Sequence, residues 1–215
     1  MLVSEIDMIT PSSLSECLTQ LSKEGRKHRL IAGGTDAAVR MKEGKWRPEI
    51  WINIKNVKEL RYIEEREDFI HIGPLPTNPD LIHSPLLQRK ADVLAEAARE
   101  IGATQMQNMG TIGGNIGTAS PAGDTLPALY ALGAMLELAS LTKKRIIPIE
   151  EFIIGPGRTI LKENEMITKI LIKPQKPNEI GIFQKLGPRK AQSISIVNIA
   201  ISLTMDQDRK CIEGK

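Results

Sequence analysis

The stretch GATQMQNMGTIGGNIGTASPAGD, running from Gly102 to Asp124, decides how the rest of the chain is read. Asp124 is the only charged residue between Ile101 and Met135, where the chain's own 26% charged composition would place about nine. An exposed loop would carry charge, and a buried loop needs partners for its main-chain groups. A large polar ligand laid over the segment meets both conditions. Glycines permit close approach, hydroxyls and amides supply hydrogen bonds, and no carboxylate before Asp124 repels a phosphate. The competing reading is a buried, tightly turned connector whose main-chain groups pair internally.

A second stretch of this kind lies upstream, Leu30-Ile31-Ala32-Gly33-Gly34-Thr35-Asp36-Ala37-Ala38. A strand delivers the chain into a Gly-Gly turn and a helix begins, with Thr35 or Asp36 available as its cap. Amide N–H groups at such a turn, with the helix dipole behind them, suit an anion. Taken alone, the segment also reads as an ordinary strand–turn–helix connection, because it is neither GxGxxG nor a P-loop. Two such bends together suggest a bipartite cradle for an extended ligand with a pyrophosphate at its centre. Neither bend contains the lysine expected for phosphoryl transfer, so a dinucleotide cofactor fits better.

The elements around the bends can be placed by pattern. Pro11-Ser12-Ser13 opens a helix whose face is Leu14, Cys17, Leu18 and Leu21, and Gly25 ends it. Strands are expected at Arg29–Ala32, Ile50–Ile54, Arg61–Glu64 and Phe69–Ile72, followed by a Pro-rich loop from Gly73 to Pro79. One long amphipathic helix is expected from Pro85 to Ile101, and a buried helix from Leu126 to Met135. Further strands are expected at Leu136–Ala139, Lys144–Pro148, Met166–Ile172, Ile182–Leu186 and Ile194–Met205, with a return strand starting at Cys211. Strands and helices mix without strict alternation, which favours α+β over a doubly wound sheet. Residues 1–56 read as a small N-terminal α/β subdomain and residues 57–215 as a larger α+β subdomain. The incomplete hairpin at the end reads as a truncation.

Composition narrows the function. The 215 residues carry 29 Lys and Arg against 26 Asp and Glu, too balanced for a nucleic-acid glove, and seven aromatic residues are too few for base stacking. Two cysteines and three scattered histidines offer no iron–sulfur or zinc site, so no metal is expected in this chain. Neither a signal peptide nor a membrane span is apparent, which points to the cytoplasm.

The bends, with Thr111-Ile112-Gly113-Gly114-Asn115 and Thr118-Ala119-Ser120-Pro121-Ala122-Gly123-Asp124, resemble the FAD-binding subunit of the molybdenum hydroxylases. That family includes the flavin domain of xanthine dehydrogenase and the medium subunit of aerobic carbon monoxide dehydrogenase. The resemblance implies a PCMH-type, vanillyl-alcohol-oxidase-like FAD-binding fold with two subdomains gripping FAD, and a C-terminal domain that this chain lacks. By the same resemblance Ala32 to Ala37 wrap the pyrophosphate, and Leu30 and Ile31 before them belong to the cofactor site. Thr111, Gly114, Asn115 and Thr118 belong to the second loop, with phosphate and ribityl contacts. Asp124 holds a sugar or ribityl hydroxyl, Ile101 lies beside the flavin ring, Met166 and Ile167 lie near the adenine, and Lys185 lies close to the flavin. No side chain is expected to act as an acid–base catalyst.

The implied activity is electron transfer. A molybdopterin-containing large subunit and a [2Fe–2S] small subunit would deliver electrons to FAD, which passes them to NAD⁺ or another acceptor. The rival readings are a non-catalytic scaffold that keeps the fold without the flavin, and a stand-alone flavin reductase.

Overall fold

The computed structural model describes residues 7–23, 25, 27–190 and 192–215. Residues 1–6, which open both the expected small subdomain and the stretch read as lacking a leader, lie outside the described residues.

The chain begins with β1 (Asp7–Ile9), α1 (Leu14–Leu21), β2 (His28–Ile31), α2 (Thr35–Lys42) and β3 (Ile50–Asn53). The three strands form a parallel sheet in the order β1-β3-β2, with Leu30 opposite Ile52. Ser13 caps α1 by accepting the Glu16 N–H at 3.2 Å. Cys17, Leu18 and Leu21 on the inner face of α1 join a small core with Ile52, Val57 and Leu60. Ala139 and Met166 enter the same core from the larger sheet, so apolar contacts tie the two sheets together.

A five-stranded antiparallel sheet comes next, built from β4 (Ile63–Arg66) and β5 (Phe69–Ile72) and completed much later in the chain. Between come α3 (Asn78–Ile82), α4 (Pro85–Lys90), α5 (Asp92–Arg99), α6 (Thr104–Met109), α7 (Ile112–Thr118) and α8 (Thr125–Ala131). Then follow β6 (Met135–Ala139), β7 (Lys144–Pro148), α9 (Ile149–Phe152), the small hairpin β8 (Ile153–Gly155) and β9 (Arg158–Thr159), and β10 (Met166–Ile172). The strand order is β4-β5-β10-β6-β7, which leaves β10 central and nearly all buried. Its Ile170 and Ile172, with Ile70, Ile72 and Leu136, face α5 and α8 across the main core.

The remaining strands, β11 (Glu179–Leu186), β12 (Val197–Met205) and β13 (Cys211–Gly214), form a separate antiparallel sheet. Phe183 and Ala200 turn inward onto the main core beside α5 and α8. Ile180, Ile182, Leu186, Val197 and Ile199 alternate onto the opposite face, where they are exposed.

The structure revises several expectations. The single helix from Pro85 to Ile101 is two helices, broken at Ala91 (φ −162°, ψ 48°). The helix expected to reach Met135 stops at Ala131, because Gly133 turns the chain at φ +59° into β6. The Pro-rich loop gives way to α3 at Asn78, with Thr77 and Asp80 forming a reciprocal capping box. The segment from Gly102 to Asp124 contains two short helices, α6 and α7. The return strand at Cys211 is present and pairs with β12. Among the described residues, no helix is long and apolar enough to cross a membrane.

Candidate functional site

The two bends meet. Gly33 packs so closely on the end of α6 that an added β-carbon would lie 1.7 Å from the Met109 carbonyl oxygen. Thr118 Oγ1 donates to Asp36 Oδ2 at 3.3 Å, and the same carboxylate oxygen accepts Arg40 Nε at 2.6 Å. The beginning of α2 and the end of α7 are therefore joined side chain to side chain. Between the small parallel sheet, the bends and the N-terminal end of β10 runs a cleft of about 790 Å³. All the residues named from the sequence line it except Asp124 and Lys185.

The first bend is rich in free donors. Gly34 caps α2 in the left-handed conformation (φ +75°), which favours glycine. Neither Thr35 nor Asp36 acts as the cap: both lie inside the first turn. Among the described residues, no protein acceptor takes the main-chain N–H groups of Gly33, Gly34, Thr35, Asp36 or Ala37. Such donors, at a helix start and on a cleft wall, are ready for an anion.

The second bend is less open at its main chain than the first. Ile112 and Gly113 donate to the carbonyls of Pro76 and Pro74 at 3.0 and 2.9 Å. Gly114 N–H donates to Thr111 Oγ1 at 3.1 Å, so the N-terminal donors of α7 are already engaged. A β-carbon at Gly113 would come within 2.5 Å of the Pro74 side chain, so that glycine serves helix packing. From α7 the cleft is lined by Gly113, Gly114 and Gly117 and by the polar side chains of Asn115 and Thr118. Asn115 Oδ1 accepts Thr125 Oγ1 at 2.7 Å, which leaves its Nδ2 hydrogens without a protein acceptor among the described residues.

Asp124 and Lys185 form a buried cluster outside the cleft lining. Lys185 Nζ donates to Asp124 Oδ2 and to the Glu100 carbonyl, both at 2.7 Å. The other carboxylate oxygen accepts Asn198 Nδ2 at 2.9 Å and the Ser195 hydroxyl. The cluster pins β11 and β12 to the start of α8 and to the turn that presents Ile101.

The far rim is held by a second pair, the buried Glu165 carboxylate and the half-buried Arg145. Burial pushes the Glu165 carboxyl up. The Arg145 guanidinium, at 3.0 and 2.8 Å, and the Lys162 N–H outweigh that and hold it below the usual carboxylate range. Arg145 also donates to the Ile160 carbonyl, so the loop carrying Leu161, Lys162 and Glu163 along the cleft is fixed. Arg29 and Trp46, with the guanidinium 4.0 Å above the indole, and Asn78, Arg158 and Lys162 also line the cleft wall and were not expected there from the sequence. A cation flanked by glycines, as in Gly155-Pro156-Gly157-Arg158, was the available signal for one of them.

The cleft suits a dinucleotide with a diphosphate. Its volume falls within the ordinary range for cofactor sites, its donors cluster at one bend, and the Asp36 carboxylate beside them is neutralised by Arg40.

Comparison with known proteins gives the family. Residues 4–175 match the model of the FAD binding domain in molybdopterin dehydrogenase. The nicotinate dehydrogenase FAD-subunit of Eubacterium barkeri is 32% identical over 213 residues, covering 97% of this chain and 72% of that protein. The nicotine 6-hydroxylase medium subunit of Paenarthrobacter nicotinovorans is 30% identical, covering 93% and 69%. A solved carbon monoxide dehydrogenase from Hydrogenophaga pseudoflava superposes with a TM-score of 0.93 at 29% identity, covering all of this chain and 74% of that one.

Proposed function

This chain belongs to the family of FAD-binding domains in molybdopterin dehydrogenases, and from that premise we propose that it is the electron-transferring flavoprotein subunit of a molybdenum hydroxylase complex. FAD, when bound, supplies the redox chemistry. The protein's part is to bind, orient and shield it. The main-chain N–H groups from Gly33 to Ala37 hold the diphosphate. Thr111, Gly114, Asn115 and Thr118 line its other side, Ile101 flanks the ring system, and Met166 and Ile167 bound the adenine end. Leu30, Ile31 and Ala32 form the floor that leads into the first bend. Asp124 and Lys185 act from behind, by fixing the turn at Ile101 through the Glu100 carbonyl. Residues 1–56 and 57–215 are the two subdomains that close on the cofactor.

In this proposal electrons arrive from a [2Fe–2S] small subunit that accompanies a molybdopterin-containing large subunit, and leave to NAD⁺ or another acceptor. The complex works in the cytoplasm, where the free thiols Cys17 and Cys211 stay reduced.

The observation that carries the reading is the row of five N–H groups, unpartnered among the described residues, on the wall of a cleft about 790 Å³ in volume. Calorimetric titration of the purified full chain with FAD tests it. Stoichiometric binding is expected, with a flavin absorbance that bleaches under dithionite. A folded chain that takes up no FAD returns the reading to a scaffold.

A further inference from the structure

We propose that Arg158 is the side-chain cation that neutralises the diphosphate of FAD in this cleft. The assignment rests on the FAD reading above and adds a charged ligand to the amides of the first bend.

A diphosphate diester carries two negative charges. The start of α2 offers about half a positive charge, and Arg40 is already paired with Asp36. The N–H groups at the start of α7 are engaged by Pro74, Pro76 and Thr111. A side-chain cation would supply the remaining charge, and four basic residues line the cleft: His28, Arg29, Arg158 and Lys162. A ring nitrogen of His28 lies 3.3 Å from the Glu163 carbonyl. Arg29 is stacked on Trp46 and lies in the field of Asp36. Lys162 shares the field of Glu165 with Arg145. Among the described residues, Arg158 has no carboxylate within ion-pair distance.

Arg158 is exposed at the cleft, and its guanidinium lies over a glycine of its own hairpin. Gly155 faces Arg158 across the β8–β9 hairpin, and a β-carbon at Gly155 would lie 3.0 Å from Arg158 Nη2. The missing side chain thus makes room for the guanidinium. Gly157 closes the hairpin at φ +67°, and its N–H donates to the Ala119 carbonyl at 2.8 Å. The hairpin tip is thereby fastened to the end of the second bend, where a planar guanidinium can meet phosphate oxygens in pairs.

The test is calorimetry on the full chain and on Arg158→Gln and Arg158→Lys, with FAD and riboflavin as probes, while circular dichroism follows the fold. Arg158→Gln is expected to weaken FAD binding about 10- to 100-fold and to leave riboflavin binding unchanged. Arg158→Lys keeps the charge without the fork and is expected to fall between. It carries the test if the glutamine variant does not fold. The wild-type affinity for FAD should drop with added NaCl more steeply than that of Arg158→Gln. FAD affinity unchanged in both variants, or equal loss for FAD and riboflavin, overturns the assignment. A wild-type chain that binds no FAD overturns the underlying FAD reading instead.

Discussion

A β-carbon at Gly33 would collide with the Met109 carbonyl, and main chain cannot swing aside as a flexible side chain can. Gly33→Ala is therefore expected to force the two bends apart and lower FAD affinity by at least about 100-fold, the scale of about 3 kcal/mol, as read by calorimetry. Lys185 and Asp124 are a second site where one atom decides much. Removing one partner of a buried pair leaves the other charge uncompensated. Lys185→Met should destabilise the fold by about 3–5 kcal/mol in urea denaturation, and the double variant with Asp124→Asn should recover a substantial part. If the double variant is no better than the single one, the cluster is not coupled in this way.

The loop from Ile160 to Glu165 is held by a pair whose balance depends on pH. The Glu165 carboxyl is depressed in the folded chain, so its contribution is complete above the unfolded carboxylate value of about 4.3 and fades as pH falls through the folded value. Arg145→Met should lower stability at neutral pH and flatten its acid limb in thermal melts recorded from pH 7 down to 3. Strands with strong alternation or β-branched runs, such as Lys144–Pro148 and Met166–Ile172, were legible from the sequence because those signals are local. The break at Ala91 was not. Gln175 N–H donates to the Lys90 carbonyl at 2.8 Å and its Oε1 accepts Asp92 N–H at 3.1 Å, so a segment more than 80 residues away divides the helix. The glycines at 113 and 114 hid a helix for a similar reason. Low propensity suggested a loop, while close packing on Pro74 requires a helix without a side chain at Gly113. The cleft's lining was largely legible because glycine and hydroxyl residues cluster there. Which main-chain donors stay free could not be read, since Pro74 and Pro76 take theirs through tertiary contacts.

At the scale of the molecule, two sheets meet at the cleft and a third stands against the main core with one face open. Isoleucine, leucine and valine side chains from β11 and β12 share that face without a charge among the exposed ones. Apolar patches of this kind draw in other apolar surface. Full-length protein should enhance the fluorescence of an anilinonaphthalene dye while still giving a cooperative melt. Light scattering should rise with concentration. Ile182→Thr with Ile199→Thr should reduce both signals and leave FAD affinity unchanged, because neither position lines the cleft. Equal dye binding by the double variant would place the sticky region elsewhere. The same strands that shelter the Lys185 cluster on one side thus behave like a surfactant on the other. Agitated or very dilute samples should lose material to air–water interfaces and vessel walls, and a trace of non-ionic detergent should hold it in solution.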